Sequence, residues 1–232
     1  MKSHSKIICL LIVALLGGTV FGQKNAARAK TKKPTAPRVV NADAEADFTG
    51  GFDGGVYKNR FFGVKMTMPE SWLIQERQVS DAIKDAGTQM VKGKTTATDK
   101  AYQQAVQRLT VLFTASKDIL GIENNATMIF SAEKSTPLVQ VRNGRDYLRF
   151  NIQSFKKLQL PPDFKYSETI AAEKFGAETF YSLDVQRATF QQRFYATYRK
   201  GYALFFTLTY ANQEDLETMK EVLRNSDFAW KE

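Results

Sequence analysis

The chain has 232 residues, 33 lysines and arginines against 24 acids, a formal charge of +9, and 43% apolar and 12% aromatic residues. That content is too apolar for a disordered or collagenous chain. The length suits one domain, or a tight pair, able to bury roughly 70% of its unfolded surface.

Residues 1–22 divide into a basic start, Met1 to Lys6, an apolar run, Ile7 to Leu16, and a small, weakly polar close, Gly17 to Gly22. This is the layout of a secretory signal, with Val20-Phe21-Gly22 as the cleavage sequence before Gln23. The apolar run is short for a bilayer core of about 30 Å, so cleavage is expected, with no transmembrane span afterwards. Cys9 lies at the start of the run, not at its end where a lipid anchor would need it. Cleavage removes His4 and Cys9, the single histidine and cysteine of the sequence. A mature chain without imidazole or thiol excludes Ser-His-Asp and Cys-His nucleophiles, His- or Cys-ligated zinc, thiol redox chemistry and disulfides. The expected location is periplasmic or secreted.

Residues 23–46 read as a basic linker rich in Pro, Ala and Lys. Lys24, Arg28, Lys30, Lys32, Lys33 and Arg38 stand there with no acid before Val39, and Pro34 and Pro37 give it a disordered composition. Setting aside the eight cations ahead of Val39 leaves 25 bases against 24 acids, so the excess charge belongs to the N-terminal end. Residues 23–38 are either a solvated spacer or a weak contact with an anionic surface, worth about 1 kcal/mol per cation. The near-neutral remainder gives no footprint for nucleic acid.

From residue 47 onward the pattern becomes periodic. A flexible entry with Gly50, Gly51, Gly54 and Gly55 leads to short strands at Val56–Asn59 and Phe62–Met68, a turn at Pro69-Glu70-Ser71, and a buried strand beginning Trp72-Leu73-Ile74. Val79, Ile83 and Met90, then Tyr102, Ala105, Val106 and Leu109, imply two modest helices separated by a loop. Strands are expected at Leu109–Thr114 and Thr127–Ser131. Asn143 caps an amphipathic helix near 144–158 carrying Leu148, Ile152 and Phe155, ended by Pro161-Pro162. Strands then follow at Lys165–Ala172 and Glu178–Gln186. Gln191–Arg199 and Tyr202–Tyr210 flank Lys200-Gly201 as a hairpin, with Tyr202, Leu204, Phe206, Leu208 and Tyr210 on one face. Asn212 caps a last helix with Leu216, Met219 and Leu223 on one side, and Phe228 closes the domain.

Tyr57-Lys58-Asn59, Phe61-Phe62-Gly63-Val64 and Met68-Pro69-Glu70-Ser71-Trp72 resemble the opening of PsbP-like domains. The close, an aromatic strand Leu204–Tyr210, a helix, then Leu223-Arg224-Asn225-Ser226-Asp227-Phe228, is similar too. The resemblance implies an α+β fold, a central, mostly antiparallel β-sheet with helices packed on its faces, over 47–232, with a helical insertion at about 77–108. It also implies action by binding or by assisting assemblies rather than by catalysis. The histidine metal contacts of the photosynthetic members have no counterpart here, so the resemblance carries over no site residue and no cofactor.

Local motifs are weak. Gly87 to Thr95 has five residues between its glycines and no preceding strand, so it fails as a phosphate loop. Ser131–Lys134 and Ser154–Lys157 fit S-x-x-K, one on an expected strand and one late in a helix. Asn125-Ala126-Thr127 is a formal glycosylation acceptor. Glu168, Glu173 and Glu178 read as solvated charges, with a carboxylate acid/base pair or a hard-metal site as the alternative. Phe190, Phe194, Tyr195, Tyr198, Tyr202, Phe205 and Phe206 put rings on two faces of the last hairpin, either as core or as the lining of a ligand groove. The function expected is an exported, non-enzymatic binding or assembly module of the cell envelope, its partner an envelope protein or a small ligand. An envelope hydrolase using a Ser-Lys or carboxylate site, and adhesion through the basic tail, are the alternatives.

Overall fold

A computed structural model describes residues 47–75, 79–82, 85, 92–136 and 141–231. The expected signal and linker, Gly87 and the apolar positions Ile83 and Met90 lie outside them. The described chain is built on one large antiparallel sheet. It comprises β4 (Leu73–Ile74), β6 (Leu109–Ser116), β7 (Thr127–Lys134), β10 (Ala171–Phe175), β11 (Glu178–Gln186), β12 (Gln191–Arg199) and β13 (Tyr202–Tyr210), in the order β10-β11-β12-β13-β7-β6-β4. A further short strand, β9 (Lys165–Tyr166), pairs with β11 at Val185 and Gln186.

The alternation of side chains along the central strands fills two cores. From β13, Leu204, Phe206 and Leu208 enter one core, and Ala203 and Phe205 enter the other. The second core is covered by α1 (Thr96–Val106), through Tyr102 and Val106, and by α2 (Gly144–Phe155), through Leu148, Ile152 and Phe155. The first is covered by α3 (Gln213–Arg224), through Leu216, Met219 and Leu223. Beside α3 lies a three-stranded sheet of β1 (Gly51–Asp53), β2 (Val56–Asn59) and β3 (Val64–Thr67), which contributes Tyr57, Val64 and Met66. The α+β sandwich expected from the sequence is therefore present, with a small sheet added to one of its outer layers. In the core, Phe130 and Phe206 stack with centroids 4.3 Å apart and planes 8° from parallel. Such pairs contribute about 1 kcal/mol beyond the burial of their area.

The last hairpin keeps its expected bounds. Lys200 and Gly201 have φ of 51° and 83°, the paired positive values of a type I′ turn. Asn143 and Asn212 cap α2 and α3 as anticipated, their side chains accepting from the backbone N–H groups of Asp146 and Asp215. Each such cap stabilises by about 1 kcal/mol.

Several expectations are corrected. The glycine entry is a strand and a hairpin turn, with Gly54 and Gly55 at φ 55° and 78° between β1 and β2. Leu73 and Ile74 lie on an edge strand and are 42% and 36% exposed, not buried, while Trp72 before them is buried. α2 stops at Phe155, ahead of the prolines. The chain then forms β8 (Leu158–Gln159), which pairs with β5 (Lys92–Gly93), a contact too short to leave a periodic signal. The expected strand over 165–172 is two strands, split where the Thr169 backbone N–H donates to the Ser167 hydroxyl and turns the chain. On β6, Val111 pairs with Ser131 and Phe113 with Phe130, which leaves Leu112 as the extra residue of a bulge. Leu109 and Val111 therefore face the α1–α2 core, while Phe113 and Ala115 face the α3 core.

The residues that carry the family resemblance hold the entry segment. The Tyr57 hydroxyl donates to Thr49 O at 2.7 Å, and Asn59 Nδ2 donates to Phe48 O at 2.9 Å. Asn59 Oδ1 accepts from the Phe62 backbone N–H at 2.7 Å. Burial pushes the Tyr57 and Tyr210 hydroxyls up from an ordinary 10.0. Burial does the same to Tyr195, helped by Glu173, which accepts its hydrogen bond. A raised acid pKa in the folded state means full stabilisation below pH 10 and its loss as pH rises through the folded values. Alkaline titration followed by tyrosinate absorbance should find Tyr57 and Tyr195 ionising only as the circular-dichroism signal of the fold is lost, and Tyr210 ionising above the pH of a free tyrosine.

Candidate functional site

The seven hairpin rings leave no open groove. Phe190, Phe194, Tyr195, Phe205 and Phe206 are buried. Tyr198 packs on the α1–α2 core, and Tyr202 sits among Phe48, Phe61 and Phe62. Both faces of the hairpin are core because β13 is a central strand covered on each side.

The S-x-x-K serines are enclosed. Ser131 is fully buried within the sheet while Lys134 is exposed, and the Ser154 hydroxyl donates to Phe150 O at 2.8 Å within α2. The three carboxylates each have their own partners. Glu168 pairs with Lys156 at 2.9 Å, Glu173 with Lys220 at 3.2 Å, and Glu178 with Arg199 and the Thr197 hydroxyl. The Asn125 side chain is used by its own loop, accepting from the Asp118 backbone N–H and donating to Asp118 O. The deeply buried carboxylate Glu133 lies between Arg108 Nη2, at 3.3 Å, and the Tyr147 hydroxyl, which donates at 2.8 Å. Among the described residues no group of three or more His, Cys, Asp or Glu side chains could hold a metal ion. None of their helices is long and apolar enough to cross a membrane.

The feature that stands apart is the outer face of α2. Its buried positions, Tyr147, Leu148, Ile152 and Phe155, place Arg145, Arg149, Gln153 and Lys156 on the exposed side, with Arg142 just ahead of the cap and Lys157 just past the end. From Arg145 to Lys156 the helix rises about 16 Å. None of the Arg142, Arg145 and Arg149 guanidiniums has an ion-pair or hydrogen-bond partner among the described residues. Lys156 is paired with Glu168, which is itself exposed. Two shallow depressions flank Arg149. One is lined by Arg145, Lys156, Glu168, Ile152 and Ile170, the other by Arg142, Asp146 and Phe150, and Arg149 and Gln153 border both.

Electrostatically this face is poorly placed for stability. Arg145 lies in the first turn, against the positive end of the helix dipole, offset in part by Asp146. Arg145 and Arg149 are like charges at i and i+4, which destabilise a helix by about 0.2–0.5 kcal/mol. The helix on the opposite side of the sheet does the reverse. α3 has Glu214 and Asp215 in its first turn and Arg224 in its last. Asp215 is paired with Lys117 at 2.8 Å, and Glu217 with Arg224 at 3.0 Å, which holds the Glu217 carboxyl below its usual range. The sequence reading missed the α2 face because it counted charge over the whole domain. The signal was local, with two arginines four apart behind a helix cap and a single acid, Asp146, at helical spacing from them.

No protein-family model and no curated protein matches the chain. Solved structures similar to it include the following two. One is LpqN, involved in cell envelope biogenesis of Mycobacterium tuberculosis, at 11% identity over 71% of this chain and 82% of that one, with a TM-score of 0.36. The other is cyanobacterial PsbP (CyanoP) from Synechocystis sp. PCC 6803, at 14% identity over 75% of this chain and 92% of that one, with a TM-score of 0.39. At these values neither likeness carries an argument about function, and the sandwich is established by the chain's own strand order. The PsbP-like fold expected from the opening and closing motifs has a PsbP structure among its matches.

Proposed function

We propose that the chain is an exported binding or assembly module of the cell envelope that works by contact rather than by bond-making. The observation that carries this reading is the row of guanidiniums on and just ahead of α2, which have no ion-pair partner among the described residues and set Arg145 against the helix dipole and against Arg149. Export rests on the three-part segment 1–22, whose removal takes away the single histidine and cysteine. The enclosed serines and separately paired carboxylates favour contact over catalysis. Cell fractionation, N-terminal mass analysis and in-cell crosslinking test it. The expected result is an envelope-localised chain beginning at Gln23 and crosslinked to a discrete partner. A full-length cytosolic chain, or turnover of a substrate by the purified protein, would contradict it.

A further inference from the structure

We infer that the outer face of α2 docks an acidic peptide segment of a partner protein, its carboxylates held by Arg142, Arg145 and Arg149. This names the partner chemistry for the binding-module reading above and rests on it.

Three features of the face select this partner. Three of the four cations lining the two depressions are arginines, whose planar forks take a carboxylate through two parallel N–H···O bonds, which the fourth, Lys156, cannot do. Their spacing suits an extended chain. Arg145 and Arg149 stand one turn apart, about 6 Å along the helix axis, close to the roughly 7 Å between carboxylates on one side of a strand, with Arg142 just ahead of the cap. Aliphatic surface is present but recessed: Ile152 is 8% exposed, and Ile170, half-buried, lines the same depression. A peptide lying along the helix can set a small apolar side chain into that depression, whereas a flat bilayer cannot reach it.

A membrane would be gripped by protruding apolar groups as well as by charge. Among the described residues the large exposed hydrophobics are Leu73, Ile74, Ile119 and Ile122, on β4 and the β6–β7 loop, and none is on α2. The docking face is therefore cationic without a lipid-inserting element. Glu168 fits the same picture. It is paired with Lys156 yet 67% exposed, so an incoming carboxylate can displace it at small cost.

The test is fluorescence anisotropy of a labelled oligoglutamate peptide titrated with the purified chain at low ionic strength. R145E/R149E is compared with the parent, and with K30Q/K32Q/K33Q as a control for the basic tail. Circular dichroism and the urea midpoint establish that each variant is folded. The account expects R145E/R149E to weaken binding at least about tenfold, since two attractions become two repulsions. It expects the tail variant to retain most of its affinity, and parent binding to fade with salt. Vesicles of phosphatidylglycerol and phosphatidylcholine, assayed by cosedimentation, should show no loss on R145E/R149E exchange. Equal peptide affinity of parent and R145E/R149E would overturn the inference, as would a parent that ignores the peptide, or R145E/R149E-sensitive binding confined to the vesicles. A discrete in-cell crosslink that survives R145E/R149E would leave the binding-module reading standing while removing this partner face.

Discussion

Replacing Arg199 by alanine should cost about 3 kcal/mol of unfolding free energy, read as a lower urea midpoint at unchanged slope. Arg199 stands at the end of β12, where its side chain joins three parts of the chain. Its Nη1 donates to Phe62 O at 2.6 Å and to Phe228 O at 2.5 Å, and its Nη2 donates to the Glu178 carboxylate. Both partners of the ion pair are less than one quarter exposed. Truncation therefore strands a carboxylate and two carbonyls that water reaches poorly, and that penalty outweighs the net worth of the pair itself. The C-terminal strap depends on the same place. Lys65 and Asp227 exchange both backbone hydrogen bonds at 2.9 Å, and the Trp230 backbone N–H donates to Gly63 O. R199K should recover less than half of the loss, because one ammonium cannot reach all three acceptors in the geometry of the fork. A cost below about 1 kcal/mol for R199A would show that the strap holds without it.

Gly144→Ala should destabilise by about 3 kcal/mol, although alanine is the better helix former by up to about 1 kcal/mol. Gly144 opens α2 in ordinary helical conformation, so its lack of a side chain serves contact and not backbone freedom. A Cβ there would lie 1.9 Å from Ala196 O and 2.5 Å from Ala196 C. The obstacle is the backbone of β12, a strand hydrogen-bonded on both sides, and it cannot turn aside as a side chain would. The helix must lift from the sheet, with loss of the packing of Leu148 and Ile152 and displacement of the cationic face. Urea unfolding decides between the two principles by sign, since local propensity acting alone predicts a gain. A more stable G144A variant would mean that the first turn of α2 is not seated on β12.

Where the sequence was legible, one local rule acted without competition. Tyr202 to Tyr210 has period two on one face, a preceding turn whose residues accept positive φ, and rings on both sides of a hairpin whose second strand becomes central. Asn143 and Asn212 were readable as caps because each precedes an apolar stripe at helical spacing. Features set by distant partners were not readable. The bulge at Leu112 reverses the facing of the odd-numbered residues of β6, and a continuous apolar run such as Leu109–Phe113 looks the same with or without it. Leu73 and Ile74 look like core but fall on the sheet's edge, a position fixed by which strands pair and not by what they contain. The candidate site follows the same division. The amphipathic pattern predicted α2 and its buried side, and the arginines were visible on the other side. That their guanidiniums have no ion-pair partner among the described residues is a fact of tertiary placement. Their meaning emerges only beside α3, where the same charge types obey the helix dipole and neutralise one another.

The most direct measurement is site-specific photocrosslinking in the cells that make the protein, with a benzoylphenylalanine placed at Gln153, which borders both depressions, or at Glu221, on the exposed side of α3. The account predicts a covalent adduct from Gln153 whose captured segment is rich in Asp and Glu, abolished by R145E/R149E, and none from Glu221. An adduct from Glu221 alone, or from Gln153 to a segment without acidic residues, would contradict it.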